Sequence, residues 1–162
     1  LITKLKYGRR PQIGFYIGKV MATELLSTDF FQGIDGIIAV PLHESRQKKR
    51  GYNQSDEIAK GIAAVTHIPI LENVVERSVP NPTQTRLHRE ERIRSVANIF
   101  SLRAPQRIAG KHILLVDDVL TTGATIISCA KELSKAENVT ISVMTAYTVG
   151  GVIDLHPRRE RN

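Results

Sequence analysis

The sequence has a single cysteine, Cys129, in 162 residues, no tryptophan, and only 5% aromatic residues. One cysteine excludes an internal disulfide and a cysteine zinc cluster. Its expected place is a buried helix face, where a thiol packs as a small apolar group. So few aromatics leave little material for a platform that stacks single-stranded bases. No apolar run is long enough to span a bilayer as a helix, so no membrane insertion is expected. No secretory leader is visible, so a cytoplasmic location is the expectation. The phosphate-binding G-x-x-x-x-G-K-[ST] and dinucleotide G-x-G-x-x-G patterns are both absent. Internal repeats and low-complexity stretches are absent too.

What is present is ordinary globular material with an excess of positive charge. The length suits one domain around one core. Net charge is +7 and the pI is about 9.8, which favours an anionic partner such as a polyphosphate, a nucleic acid or an acidic surface. The chain opens on Leu1 rather than methionine, as a piece of a longer protein would.

The stretch ILLVDDVLTTGAT, Ile113 to Thr125, organises the rest. Ile113 to Val116 reads as a strand buried on both faces, as in a parallel sheet. Asp117 and Asp118 follow, then the turn Thr121-Thr122-Gly123, and Ala124 and Thr125 open an amphipathic helix. Ligands of open α/β sheets bind at the carboxyl ends of strands. The free N–H groups of a helix's first turn, with those of the loop, form an anion cradle. Gly123 lets backbone approach a phosphate with no Cβ in the way. The hydroxyls of Thr121, Thr122 and Thr125 add donors. Two carboxylates would repel a phosphate, unless they accept hydrogen bonds from sugar hydroxyls with a divalent cation nearby. The site therefore reads as one for a ribose bearing a 5′-phosphate. Acids near a helix amino end are common and alone would be weak; the combination of apolar run, acid pair and TTGAT carries the reading.

Elsewhere, Ile13, Ile17, Met21 and Leu25 recur at helical spacing and predict a helix over 12–26. Asp35-Gly36 is a turn signal, and Ile37 to Val40 a buried strand running into Pro41-Leu42-His43-Glu44-Ser45-Arg46. Lys48, Lys49 and Arg50 then read as a solvated basic loop or as phosphate contacts, and His43 as a polar loop residue. Ser55 is the expected N-cap of a helix carrying Ile58, Ala59, Ile62 and Ala63 on one face. Residues 72–77, 98–102 and 139–146 are further candidate strands, and a helix is expected from Ala124 to about Ala136. The arginine-rich stretch Arg77 to Arg94 reads either as a long functional loop or as a charged, solvent-facing helix from Gln84 to Val96. Strands separated by helices predict an α/β fold, a mainly parallel sheet with helices on both faces.

ILLVDDVLTTGAT resembles the thirteen-residue signature of type I phosphoribosyltransferases, which bind phosphoribosyl pyrophosphate (PRPP). VPLHESRQKKRGYNQS, residues 40–55, and RSVPNPTQTRLHREERIRSVANIF, residues 77–100, resemble segments of the ComF-type competence proteins, a phosphoribosyltransferase-like family. The likeness covers roughly residues 36–148 and extends to the opening LITKLKYGRR. It implies a domain over residues 1–150 and a polar tail over 151–162. Many relatives carry an N-terminal zinc ribbon that this sequence lacks.

The resemblance further implies that Asp117 and Asp118 hold the ribose hydroxyls and that Thr121, Thr122, Gly123, Ala124 and Thr125 hold the 5′-phosphate. A flexible loop, placed at residues 78–96 with Arg86 and Arg89 in it, would close over the site. Pyrophosphate is assigned to Pro41, Leu42, His43 and Arg46. Asp117, Asp118 and Arg46 are the catalytic candidates. Mg²⁺ would arrive on PRPP, with no direct protein ligand and with water bridges to Asp117 and Asp118. The expected reaction transfers the phosphoribosyl group to an unidentified acceptor, a nitrogen nucleophile in most such enzymes. The alternative is a nucleic-acid-binding protein of DNA uptake with a vestigial or regulatory PRPP site, whose partner is DNA or a protein of the competence machinery. Acceptor and oligomeric state are left open.

Overall fold

The computed structural model describes residues 10–78 and 99–148. Pro11, with its φ already helical, starts helix α1, Pro11–Leu25. Strand β1 is Gly36–Ala39, followed by the short helix α2, Glu44–Arg50, and by α3, Gln54–Thr66. Strands β2, Val75–Arg77, and β3, Phe100–Leu102, precede a 3₁₀ turn at Pro105–Arg107. Strand β4, His112–Leu120, helix α4, Ala124–Leu133, and strand β5, Thr140–Thr148, complete the order.

The main sheet runs β1-β4-β5, all parallel. A lone parallel bridge between Ile37 and Ile70 extends it past β1. β4 is central because its sequence tolerates burial on both sides: Ile113, Leu114, Leu115 and Val116 are all fully buried. Alternation then sends Ile113 and Leu115 one way, to pack with Ile126, Cys129 and Leu133 of α4. Leu114 and Val116 point the other way, to Ala22 of α1 and to Ile58, Ala59 and Ile62 of α3. The expected parallel sheet with helices on both faces is what the structure shows. Cys129 sits where expected, and burial pushes its thiol up to about 12.

β2 and β3 form a separate antiparallel pair. Ser78 N–H donates to the Ile99 carbonyl at 2.9 Å, and the Ser78 and Ser101 hydroxyls meet at 2.6 Å. The segment between the two strands thus leaves and returns at one point. The expected flexible loop, with Arg86 and Arg89, lies outside the described residues, as does the tail 151–162.

Three sequence expectations change, and the packing of α1 adds a detail. The acid pair lies inside β4, not after it, because pairing with β5 continues to Val119 and Leu120. The N-cap of α3 is Asn53, whose side chain accepts from Ser55 N–H, so Ser55 is already helical. Residues 44–50 are helical, so Arg46 and the basic Lys48 and Lys49 stand on α2 instead of in a loop. In α1 the residues buried against α3 are Gly14, Gly18 and Ala22, while Ile13, Ile17, Met21 and Leu25 are only half-buried. Small residues win that face because the helices touch backbone to backbone: a Cβ on Gly18 would collide with Ile58, and one on Gly61 with Phe15.

Candidate functional site

The carboxyl ends of β1 and β4 lie side by side, with Ala39 in register with Val116 and Val40 N–H donating to the Val116 carbonyl at 2.8 Å. Pro41-Leu42-His43 leaves β1 at the level where β4 reaches Asp117. This brings the two sequence-predicted segments, 41–43 and 117–125, to one edge of the sheet.

Asp117 is 9% exposed. Its Oδ1 accepts from the Ser55 hydroxyl at 3.0 Å and from Asp118 N–H at 2.9 Å. Burial, and then the neighbouring Asp118 charge, push its carboxyl up to about 6, although these two hydrogen bonds pull the other way. Asp118 is half-buried. One acid is therefore anchored and the other is open to the cleft.

After Leu120 the chain turns through exposed Thr121 and Thr122 into Gly123, whose φ of +79° is the left-handed conformation that favours glycine. Gly123 is the N-cap of α4 and brings no side chain to cap it. Thr122 Oγ1 accepts from Ala124 N–H at 3.3 Å, and Gly123's carbonyl accepts from Ile127 N–H at 2.9 Å. The N–H groups of Thr125 and Ile126 have no carbonyl within the helix to bond. A helix start behind a left-handed glycine, with Thr125 and Ile126 N–H left without helix carbonyls, has the features of an anion cradle.

His43 caps α2, its Nδ1 accepting from Ser45 N–H at 3.3 Å and meeting the Ser45 hydroxyl at 2.8 Å. This is the polar-loop role expected for it. Lys48 and Lys49 are exposed, and Lys48 pairs with Glu44 at 3.6 Å. A cavity of about 300 Å³ lies on the side of β1 away from β4, lined by Pro41, Leu42, Asp56, Lys60 and Glu72 among others. With two carboxylates to one ammonium, it does not suit pyrophosphate.

Sequence reasoning missed Asn53 and Ser55 as parts of the site. Both are at most 4% exposed. Asn53 Nδ2 donates to the Val40 carbonyl at 3.1 Å, its Oδ1 accepts from Ser55 N–H at 3.2 Å, and the Ser55 hydroxyl reaches Asp117. The available signal was Asn53-Gln54-Ser55, three polar residues at the start of an apolar-faced helix. An N-cap accounts for only one of them.

The family model described as "Phosphoribosyl transferase domain" matches residues 12–155. "DNA utilization protein YhgH" of Shigella flexneri is 34% identical over 146 residues, 88% of this chain and 63% of that protein. "Competence protein F" of Haemophilus influenzae is 38% identical over 102 residues, 62% of this chain and 44% of that protein. The chain thus spans less than two thirds of the length of these relatives. Among solved structures, glutamine PRPP amidotransferase from B. subtilis superposes with a TM-score of 0.55 at 21% identity, covering 82% of this chain and 26% of that one. Adenine phosphoribosyltransferase from Saccharomyces cerevisiae gives 0.55 at 12% identity, covering 87% and 71%. At such identities the two structures show the fold alone, the type I phosphoribosyltransferase fold. The chain belongs to the phosphoribosyltransferase domain family, in its ComF-type competence-protein branch.

Proposed function

We propose that this protein binds PRPP with Mg²⁺ across the carboxyl ends of β1 and β4 and transfers its phosphoribosyl group to a nitrogen acceptor, releasing pyrophosphate. The observation that carries this reading is the juxtaposition of an acid pair on the central strand with the uncapped start of α4 behind Gly123. The cradle takes the 5′-phosphate through backbone N–H groups and the hydroxyls of Thr121, Thr122 and Thr125. Asp118 and the open side of Asp117 take the ribose hydroxyls. The bond from ribose C1 to pyrophosphate breaks as the acceptor's lone pair approaches C1, and the acceptor later sheds a proton. Positive charge that grows on the ring lies beside the two carboxylates, which stabilise it by proximity. The Pro41-Leu42-His43 backbone is the proposed contact for the departing negative charge, with Arg46 of α2 as the candidate side chain. The carboxylates are hard oxygen donors that fit a water-bridged Mg²⁺, and no dedicated cage is required when the ion rides on substrate oxygens. When bound, Mg²⁺ supplies Lewis-acid stabilisation of the pyrophosphate. A cytoplasmic setting belongs to the same proposal.

The test is release of pyrophosphate from PRPP and Mg²⁺ in the presence of a panel of nitrogen nucleophiles. Release that depends on one acceptor and vanishes in the Asp117→Asn, Asp118→Asn double variant supports the reading. Release unchanged in a folded double variant contradicts it.

A second reading has support of its own. The relatives' names speak of DNA utilization and competence, the chain carries a net charge of +7, and Lys48 and Lys49 stand exposed on α2. On this reading the protein contacts DNA phosphates or a protein of the uptake machinery, and its PRPP site is vestigial or regulatory. DNA affinity that falls steeply with salt, with no thermal shift from PRPP and Mg²⁺, would favour it.

A further inference from the structure

The acids of the pair are not equivalent, and the reason lies on another element. Asp117 Oδ1 already accepts two hydrogen bonds, from Ser55 Oγ and Asp118 N–H, which fills its lone-pair directions. Neither of these bonds uses Asp117 Oδ2, and the Asp117 carboxyl also meets the side chain of Asp118. Ser55 is itself 3% exposed and sits in the first turn of α3, so its hydroxyl has no freedom to wander. Asn53, one turn-start earlier, ties the same helix end to the Val40 carbonyl. The carboxyl ends of β1 and β4 are thereby pinned to a single point on α3.

Resting on the PRPP reading above, we propose that Ser55 is a positioning residue: it holds Asp117 so that only Oδ2, together with Asp118, faces the sugar hydroxyls. Ser55 touches no ligand. Its removal leaves Oδ1 with the hydrogen bond from Asp118 N–H, so the carboxylate is held less tightly about χ2 and the oxygen aimed at the sugar loses definition. A carboxylate held for hydrogen bonding to a hydroxyl discriminates against a ligand lacking that hydroxyl, because the acceptor is then left unpaired. The discriminating probe is therefore the pair ribose 5-phosphate and 2-deoxyribose 5-phosphate, with inorganic phosphate as a report on the cradle alone.

The experiment measures all three affinities by calorimetry, with Mg²⁺ present, in the wild type, Ser55→Ala and Ser55→Thr. The expected result is a wild-type preference for ribose over deoxyribose of about tenfold or more. That preference should collapse to about twofold or less in Ser55→Ala, return in Ser55→Thr, and leave phosphate affinity constant throughout. Should Ser55→Ala fail to fold by circular dichroism, Ser55→Cys, with nearly the same shape and a weak donor, carries the same comparison. A preference retained in a folded Ser55→Ala, or lost together with phosphate affinity, overturns the positioning role while leaving the PRPP site standing. A wild type that binds no ribose 5-phosphate overturns the site reading itself.

Discussion

Asp117 keeps a carboxylate where the fold would be better off without one. Burial and Asp118 raise its carboxyl from the usual 3.8 to about 6. The folded protein therefore holds a proton that the unfolded chain releases between those values. Stability contributed by that proton is full below about 3.8 and is lost as pH rises to about 6, an effect of about 3 kcal/mol at most. Asp117→Asn keeps an acceptor for Ser55 and removes the charge. It is expected to raise the melting temperature at pH 8 and to lose that advantage by pH 4. Thermal scans at the two pH values check this, and an equal effect at both would refute the electrostatic cost. A residue that strains the fold and is nonetheless present points to function. Asp117, Asp118 and Gly123 were legible because each carries its chemistry in its own identity and in the local pattern. Ser55 and Asn53 were not, because their partners, Asp117 and Val40, lie 62 and 13 residues away. A side chain that reads locally as a helix cap gives no sign of a contact across the sheet.

At the scale of elements, hydrophobic period located α1, α3, α4 and β4, but it gave no sign of the close contact between α1 and α3. Period counts large apolar residues, while the α1–α3 contact is made by Gly14, Gly18 and Ala22 meeting Gly61. Glycine at Gly61 should cost about 1 kcal/mol relative to alanine in a free helix. Here an added Cβ meets Lys19 N at 2.8 Å and Gly18 Cα at 3.0 Å, backbone atoms that cannot rotate away. Overpacking of this kind costs about 1–3 kcal/mol or more and outweighs the propensity gain. Gly61→Ala is therefore expected to lower stability in denaturant titration; a gain would mean that α1 and α3 do not touch this closely. The far end of β4 was also placed too early, before the acid pair. Asp117 is a poor strand former, but β5 supplies hydrogen-bonding partners as far as Thr148, and tertiary pairing overrode the local preference.

For the whole molecule, fold class followed from alternating strands and helices with a doubly buried central strand, and the fold neighbours agree. Charge was less informative, since +7 suits a polyphosphate and a nucleic acid alike. The two differ in salt dependence. If the basic surface serves PRPP alone, affinity for a random DNA duplex should stay weak even at low salt, and a steep log–log salt slope from several phosphate contacts would speak for DNA as a partner. The central claim is that the acid pair and the α4 cradle form one PRPP site. Calorimetric titration of PRPP with Mg²⁺ tests it most directly, in the wild type and in the Asp117→Asn, Asp118→Asn double variant. Saturable one-to-one binding that drops at least a hundredfold in a folded double variant is the predicted result. Equal binding by both proteins, or none by the wild type, would contradict it.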